Sequence, residues 1–168
     1  TEDNAFNEDL LVNAQCFFTA TDSDVVLYAT DLLTIGANQT KTHDIEIPAE
    51  KITSLFGTTT KCDVYVVANY GSKINDSSIA TIKGKAITLG TGATQDSFVM
   101  DGEAEVTLDG TALSGTVDLN RAAAKIVVKA NIISSVSVGG NNWLPSTSKI
   151  KLTYTGSVNG SKISARQT

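Results

Sequence analysis

Cysteine, histidine, proline, tryptophan and methionine are all scarce: two, one, two, one and one in 168 residues. Two sulfurs, Cys16 and Cys62, without a histidine nearby in sequence cannot build a convincing zinc site. His43 is the only histidine, so a Ser-His-Asp triad would have a single candidate base, and no G-x-S-x-G elbow presents a serine to it. No run of about 18 apolar residues exists, so no helix of this chain is long and apolar enough to cross a bilayer. Positive charge is outweighed: the formal net charge is −5 and the pI about 4.7. A surface of that sign repels phosphate backbones and argues against nucleic-acid binding. The chain opens on a polar stretch at Thr1 with no leader pattern, which reads as a processed or truncated chain.

What is present is β pattern. Apolar residues make up 41%, enough for a core. The most informative stretch is residues 98–130, FVMDGEAEVTLDGTALSGTVDLNRAAAKIVVKA. Ala104, Val106 and Leu108 share one parity, and Glu103, Glu105 and Thr107 the other. Strand side chains alternate between faces, so this is a strand with one dry and one wet face. Asp109-Gly110 is a hairpin signal, because glycine accepts the positive φ that tight turns need. Val117 and Leu119 resume the alternation, and residues 125–130 repeat it with Ile126 and Val128 inward. The odd parity of Val117 and Leu119 against the even parity of Ala124, Ile126 and Val128 puts a bulge, bend or turn in residues 120–123.

Elsewhere, residues 8–20 read as the first strand, 21–24 as a turn and 25–33 as a returning strand. Residues 35–42 read as loop, and 43–47 alternate briefly. Pro48 and Gly57 bracket a helix of one to two turns with Ile52, Leu55 and Phe56 on one face. Residues 62–69, CDVYVVAN, form the most hydrophobic strand, expected to be central. Ile79 and Ile82 fit a short helix after Asp76 or Ser77, and a loop with strand fragments nearly as well. Residues 94–101 and 150–154 read as further strands, 139–142 as a loop and 156–168 as a linker or frayed end. Cys16 and Cys62 both carry core-facing parity; they are either two buried free thiols or a bridge between neighbouring strands.

The order VYVVAN, FVMDG, an alternating strand and then VDLNRAAAKIVVKA (residues 64–69, 98–102 and 117–130) resembles the N-terminal domain of the fimbrillin family. NEDLLVNAQCFF (7–18) looks like the first strand of such subunits. These are pilus and adhesin subunits exported as lipoproteins by certain Gram-negative anaerobes. The resemblance covers most of residues 7–154. It implies an all-β fold: a two-sheet antiparallel, transthyretin-like β-sandwich of about seven strands with one or two short helices. It divides the chain into a polar segment (1–7), the β-sandwich domain (8–155) and a linker (156–168) toward a second β domain. It also implies assembly with other fimbrial subunits through strand addition, after a protease removes an N-terminal strand, and outer-membrane anchoring through a precursor lipid. No cofactor, metal or catalytic residue is expected.

The remaining chemical candidates read as structure. Gly90-Thr-Gly-Ala-Thr-Gln95 begins like a dinucleotide fingerprint but lacks the third glycine. Asp22 and Asp24 form a D-x-D pair without the rest of a calcium loop, so a turn is the better reading. Glu103 and Glu105 sit two apart on an exposed strand face, not across a cleft as a glycosidase pair would. Lys125 and Lys129 share an outer face, and Arg121 is placed to cap a sheet edge or pair with Asp118. Asn141, Asn142 and Trp143 are the one grouping that would suit a sugar, since a ring stacks on a pyranose and amides bond its hydroxyls. Two function classes therefore stand. A structural pilus or adhesin subunit predicts an open groove or apolar edge. A carbohydrate- or protein-binding module of a surface complex, which would meet host or bacterial proteins or glycans, predicts an exposed Trp143.

Overall fold

The computed structural model describes residues 10–35, 43–87, 97–122, 136–138, 141–143 and 163. They fall into two units. The first comprises residues 1–123 with 160–168, and the second 124–159. In the first unit the described residues form one antiparallel sheet of seven strands and two short helices. The strands are β1 (Asn13–Ala20), β2 (Tyr28–Ala29), β3 (Leu33–Thr34), β4 (Lys61–Ala68), β5 (Met100–Asp109), β6 (Ala112–Ser114) and β7 (Asn120–Arg121). The helices are α1 (Ala49–Phe56) and α2 (Ile79–Lys83). The order across the sheet is β2-β1-β4-β5-β6, with β3 also on β1 and β7 also on β5. In the second unit, β8 (Val136–Val138) and β9 (Asn141–Trp143) pair antiparallel. No described helix is long and apolar enough to cross a membrane.

The central place of β4 follows from its sequence. KCDVYVVA is apolar at both parities and buried on both faces, as a strand covered on each side must be. Antiparallel partners share a face, so the register sorts the side chains. Phe18, Val64 and Ala104 align on one face, and Phe17, Tyr65 and Glu103 on the other. The first face gathers Phe18, Cys62, Val64 and Val106 under Leu55 and Phe56 of α1. The second packs Phe17, Tyr65 and Val67 against Ile79 and Ile82 of α2, with Ile74, Ile87 and Val99.

Each helix has a sequence reason. Pro48 supplies a fixed φ of −58° before α1, and Gly57, at φ 55°, ends it with its N–H on Thr53 O at 2.8 Å. Eight residues are too few for a helix to stand alone in water, so burial of Leu55 and Phe56 holds it. Ser78 caps α2 by accepting from Thr81 N–H at 3.2 Å. Asp24 braces the same turn, accepting from Ser78 Oγ at 2.5 Å and Ala80 N–H at 2.7 Å. A helix after Asp76 or Ser77 is therefore what forms, one residue later than expected.

Several expectations need correction. The first strand begins at Asn13, and Leu10–Val12 lie outside it. Asn69 holds that lead-in instead: Oδ1 accepts from Val12 N–H at 2.8 Å, and Nδ2 donates to Leu10 O at 2.7 Å and Phe98 O at 2.8 Å. The returning strand 25–33 is split. Phe17 pairs with Ala29 but Ala14 with Leu33, three steps along β1 against four along its partner. The extra residue is a bulge, and Thr30 sits in it, with Oγ1 accepting from Cys16 N–H at 3.1 Å. Residues 43–47, which alternate briefly in sequence, join no strand among the described residues. Residues 97–101 are not a separate strand either: β5 starts at Met100 and runs unbroken through Asp101 and Gly102. Asp101 is buried there, with Tyr65 Oη donating to Oδ2 at 3.0 Å.

The strand expected through Val117 and Leu119 leaves the ladder at residues 115–119. Thr107 pairs with Ser114 and Met100 with Arg121, seven steps on each side, so the register is kept across the gap. The arch leans onto the face of Phe18 and Val106. A Cβ on Gly102 would overlap the Asp118 carbonyl oxygen, and one on Gly115 would lie 2.6 Å from Val106 Cγ1. Two glycines thus let the chain climb over β5. The Asp109-Gly110 turn is as expected, with Gly110 at φ 61° and Asp109 opposite Ala112.

Ile163, inside the segment read as a linker, is 0% exposed in the second cluster, and its N–H donates to Lys85 O at 3.1 Å. Residues 125–130 and 150–154, both expected as strands, lie outside the described residues.

Candidate functional site

The first face of the sheet carries an open cavity of about 500 Å³. That volume sits within the range of roughly 300–1,000 Å³ found for ligand pockets. Its floor is Phe18, Val64, Val106 and Leu108, the inward parity of β1, β4 and β5. Ile52 and Phe56 of α1 form one wall, with Ile45, Glu46 and Ile47 beside them. The opposite wall is the β5–β6 hairpin and the arch, from Thr111 through Leu113 to Val117. Leu113 faces Leu108 across the ladder, so the hairpin presents its apolar side to the same space.

Local sequence explains each wall. Residues 45–47 continue the I-E-I alternation, but no strand among the described residues pairs with them. Ile47 packs on the core while Ile45 stays 37% exposed. The arch keeps Val117 on the groove side because its register on β5 is unbroken. The result is a floor of buried apolar side chains between two extended, apolar-edged segments. Among the described residues no histidine or cysteine lines it, Thr111 brings its one hydroxyl, and Glu46 is its one charged lining residue.

The two thiols stay apart. Cys16 pairs with Val66, so Cys62 lies four residues further along the neighbouring strand, roughly 13 Å away. A disulfide needs Cα atoms within about 7 Å. Both cysteines are free, which decides against the bridge. Burial pushes each thiol up to about 11, with the carboxylate of Asp63 adding to the effect at Cys62.

The polar candidates are engaged in structure. His43 Nε2–H donates to Thr34 O at 2.8 Å. Asp22 sits in the turn at φ 58°, its N–H on Asp63 Oδ2 at 2.9 Å. Ser78 and Ala80 beside Asp24 hold its carboxyl below the usual range. Glu103 and Glu105 lie on the exposed part of the second face and pair separately, with Lys83 at 2.6 Å and Lys61 at 2.5 Å. Arg121 stands in β7 on the edge of β5, opposite Met100. Among the described residues no group of three or more His, Cys, Asp or Glu gathers as a metal site would require. Residues 90–95, Lys125 and Lys129 lie outside the described residues.

Asn141, Asn142 and Trp143 were expected in a loop, and they are instead strand β9, with Val136 opposite Trp143 and Val138 opposite Asn141. Two residues, both glycine, separate the innermost partners. The expected loop at 141–142 is therefore strand, and residues 139–140 lie outside the described residues. The groove was foreseen only as a general expectation, without its residues. The signal that could have located it was the shared parity of residues 62, 64 and 66 with 104, 106 and 108.

Comparison with models of known families, with curated proteins and with solved structures finds no match.

Proposed function

We propose that this chain is a structural subunit of a cell-surface fimbria or adhesin, joined to its neighbours by an added strand. The single observation that carries the reading is the apolar groove on the first sheet face. An extended segment laid between residues 45–47 and the 113–117 arch would bury Ile45, Leu108, Leu113 and Val117, which the fold leaves partly in water. Strand addition of this kind draws affinity from main-chain hydrogen bonds and specificity from alternate side chains seated in pockets. The lining suits that task, its described residues being mostly apolar and without a nucleophile–base pair.

The same reading gives the finer architecture. The segments flanking the groove are the beginnings of a second layer, which the incoming strand completes as a two-sheet, transthyretin-like sandwich. The resemblance of residues 7–154 to fimbrillin N-terminal domains supports this, and with it export to the surface of a Gram-negative cell from a lipid-anchored precursor. The role is adhesive and architectural and needs no cofactor.

The test is capture of an extended peptide. Fluorescein-labelled nonamers alternating Val and Thr are titrated with the protein and followed by anisotropy. Saturable binding is expected, lost in Leu113→Asp, whose carboxylate would lie in the groove. Absence of binding by the wild-type protein, or binding unaffected by Leu113→Asp, defeats the proposal.

A further inference from the structure

We infer that the strand taken up by the groove carries a lysine or arginine beside Glu46, and that Glu46 selects for it. This rests on the strand-capture reading above. Among the described residues Glu46 is the only charged side chain lining the cavity, between Ile45 and Ile47 on one wall. Its neighbours in sequence, Asp44 and Glu50, are also acidic and exposed. The ion pairs among the described residues use Lys61, Lys73, Lys83 and Lys85, and none reaches this rim. Lys51, the nearest cation in sequence, belongs to α1 and does not line the groove.

The physics follows from what the strand does to Glu46. While the groove is open, water solvates the carboxylate. Once an apolar segment lies across Ile45 and Ile47, part of that water is displaced, and a carboxylate losing hydration without a partner is costly. A cation on the incoming strand replaces the lost water with a charge-assisted hydrogen bond. An acidic residue there meets both the desolvation and a like charge, which makes Glu46 an element of rejection as well as attraction. The apolar floor accepts many alternating sequences, so discrimination among them falls to this one rim charge.

The experiment uses the nonamers above with one central polar residue changed to Lys, Gln or Glu, measured by anisotropy against wild type, Glu46→Gln, Glu46→Lys and Glu50→Lys. With wild type, Lys is expected to bind about tenfold tighter than Gln and Glu about tenfold weaker. Glu46→Gln flattens the series and Glu46→Lys reverses it. Glu50→Lys makes the same change of net charge on a residue outside the lining and keeps the wild-type order. The inference falls if all three peptides bind wild type alike, or if Glu50→Lys reverses the order as fully as Glu46→Lys, since the overall field would then be the cause. Failure of every peptide to bind wild type overturns the strand-capture reading and this inference with it.

Discussion

Replacing Gly102 with alanine tests the arch over β5 through the sign of the change. Glycine inside a strand is normally a weakness, and alanine in its place stabilises by about 0.5–1 kcal/mol because less conformational freedom is lost on folding. At Gly102 the new Cβ would overlap the Asp118 carbonyl oxygen and lie 2.9 Å from Val117 Cγ1 and 3.0 Å from the Asp118 carbonyl carbon. Two of those three atoms are backbone, so no rotamer change clears them. Overpacking of this kind costs about 1–3 kcal/mol. For a chain of this length each 1 kcal/mol moves the midpoint by about 2–4 °C. A Tm lower by several degrees in calorimetry is expected, with Val117→Ala giving little rescue because the carbonyl remains. Gly115→Ala makes a contrast: its Cβ would meet the Val106 side chain at 2.6 Å, so pairing it with Val106→Ala recovers part of the loss. An unchanged or higher Tm for Gly102→Ala would mean that the arch does not cross Gly102, and the groove wall built from it would be wrong.

Ile163→Ala is expected to cost about 2–5 kcal/mol, as core isoleucine truncations do; a change in urea midpoint no larger than that of a surface substitution would contradict its burial. Asp24 has a folded-state pKa below its ordinary 3.8, through Ser78 Oγ and the Ala80 N–H. Its contribution is therefore complete above that ordinary value and lost as pH falls through the lower one. Asp24→Asn should shrink the acid-side fall in urea midpoint between about pH 6 and about pH 2.5, leaving the part due to Asp31, which Lys73 holds low. The thiols of Cys16 and Cys62, raised from 9.0 to about 11, have a thiolate share at pH 8 about a hundredfold below that of a free cysteine. Alkylation of the native protein should slow at least accordingly and reach the free-thiol rate in denaturant. Equal rates in both states would show that neither group is shielded.

Elements whose cause is local were legible in the sequence. The Asp109-Gly110 turn depends on one positive φ, α1 on Pro48, Gly57 and a three-residue apolar face, and β4 on being apolar at both parities. The antiparallel, mostly β character follows from these with the alternation of residues 103–108, whereas the expected division into two sheets does not: the first unit's strands join one sheet of seven. What escaped depends on partners distant in the chain. A bulge at Thr30 is a matter of register between β1 and its neighbours, and nothing in residues 25–33 alone announces it. The lift of residues 115–119 depends on Gly102, thirteen or more positions earlier, where a missing side chain opens space for a carbonyl. Asp101-Gly102 has the composition of a turn, yet it stays in β5 because the Tyr65 hydroxyl satisfies the aspartate. The groove was harder still, since it is a property of two walls and a floor from four separate stretches.

The burial of Ile163 sets a clock on biosynthesis. It follows Ala122, the last preceding residue among the described ones packed on the same cluster, by 41 positions. At translation rates of about 5–20 residues per second, the ribosome supplies it roughly 2–8 s after the described residues it closes upon. During that interval the nascent chain carries a greasy notch beside Ile82, long enough for a holdase to bind, and a chain cut short before Ile163 would leave the notch open for good.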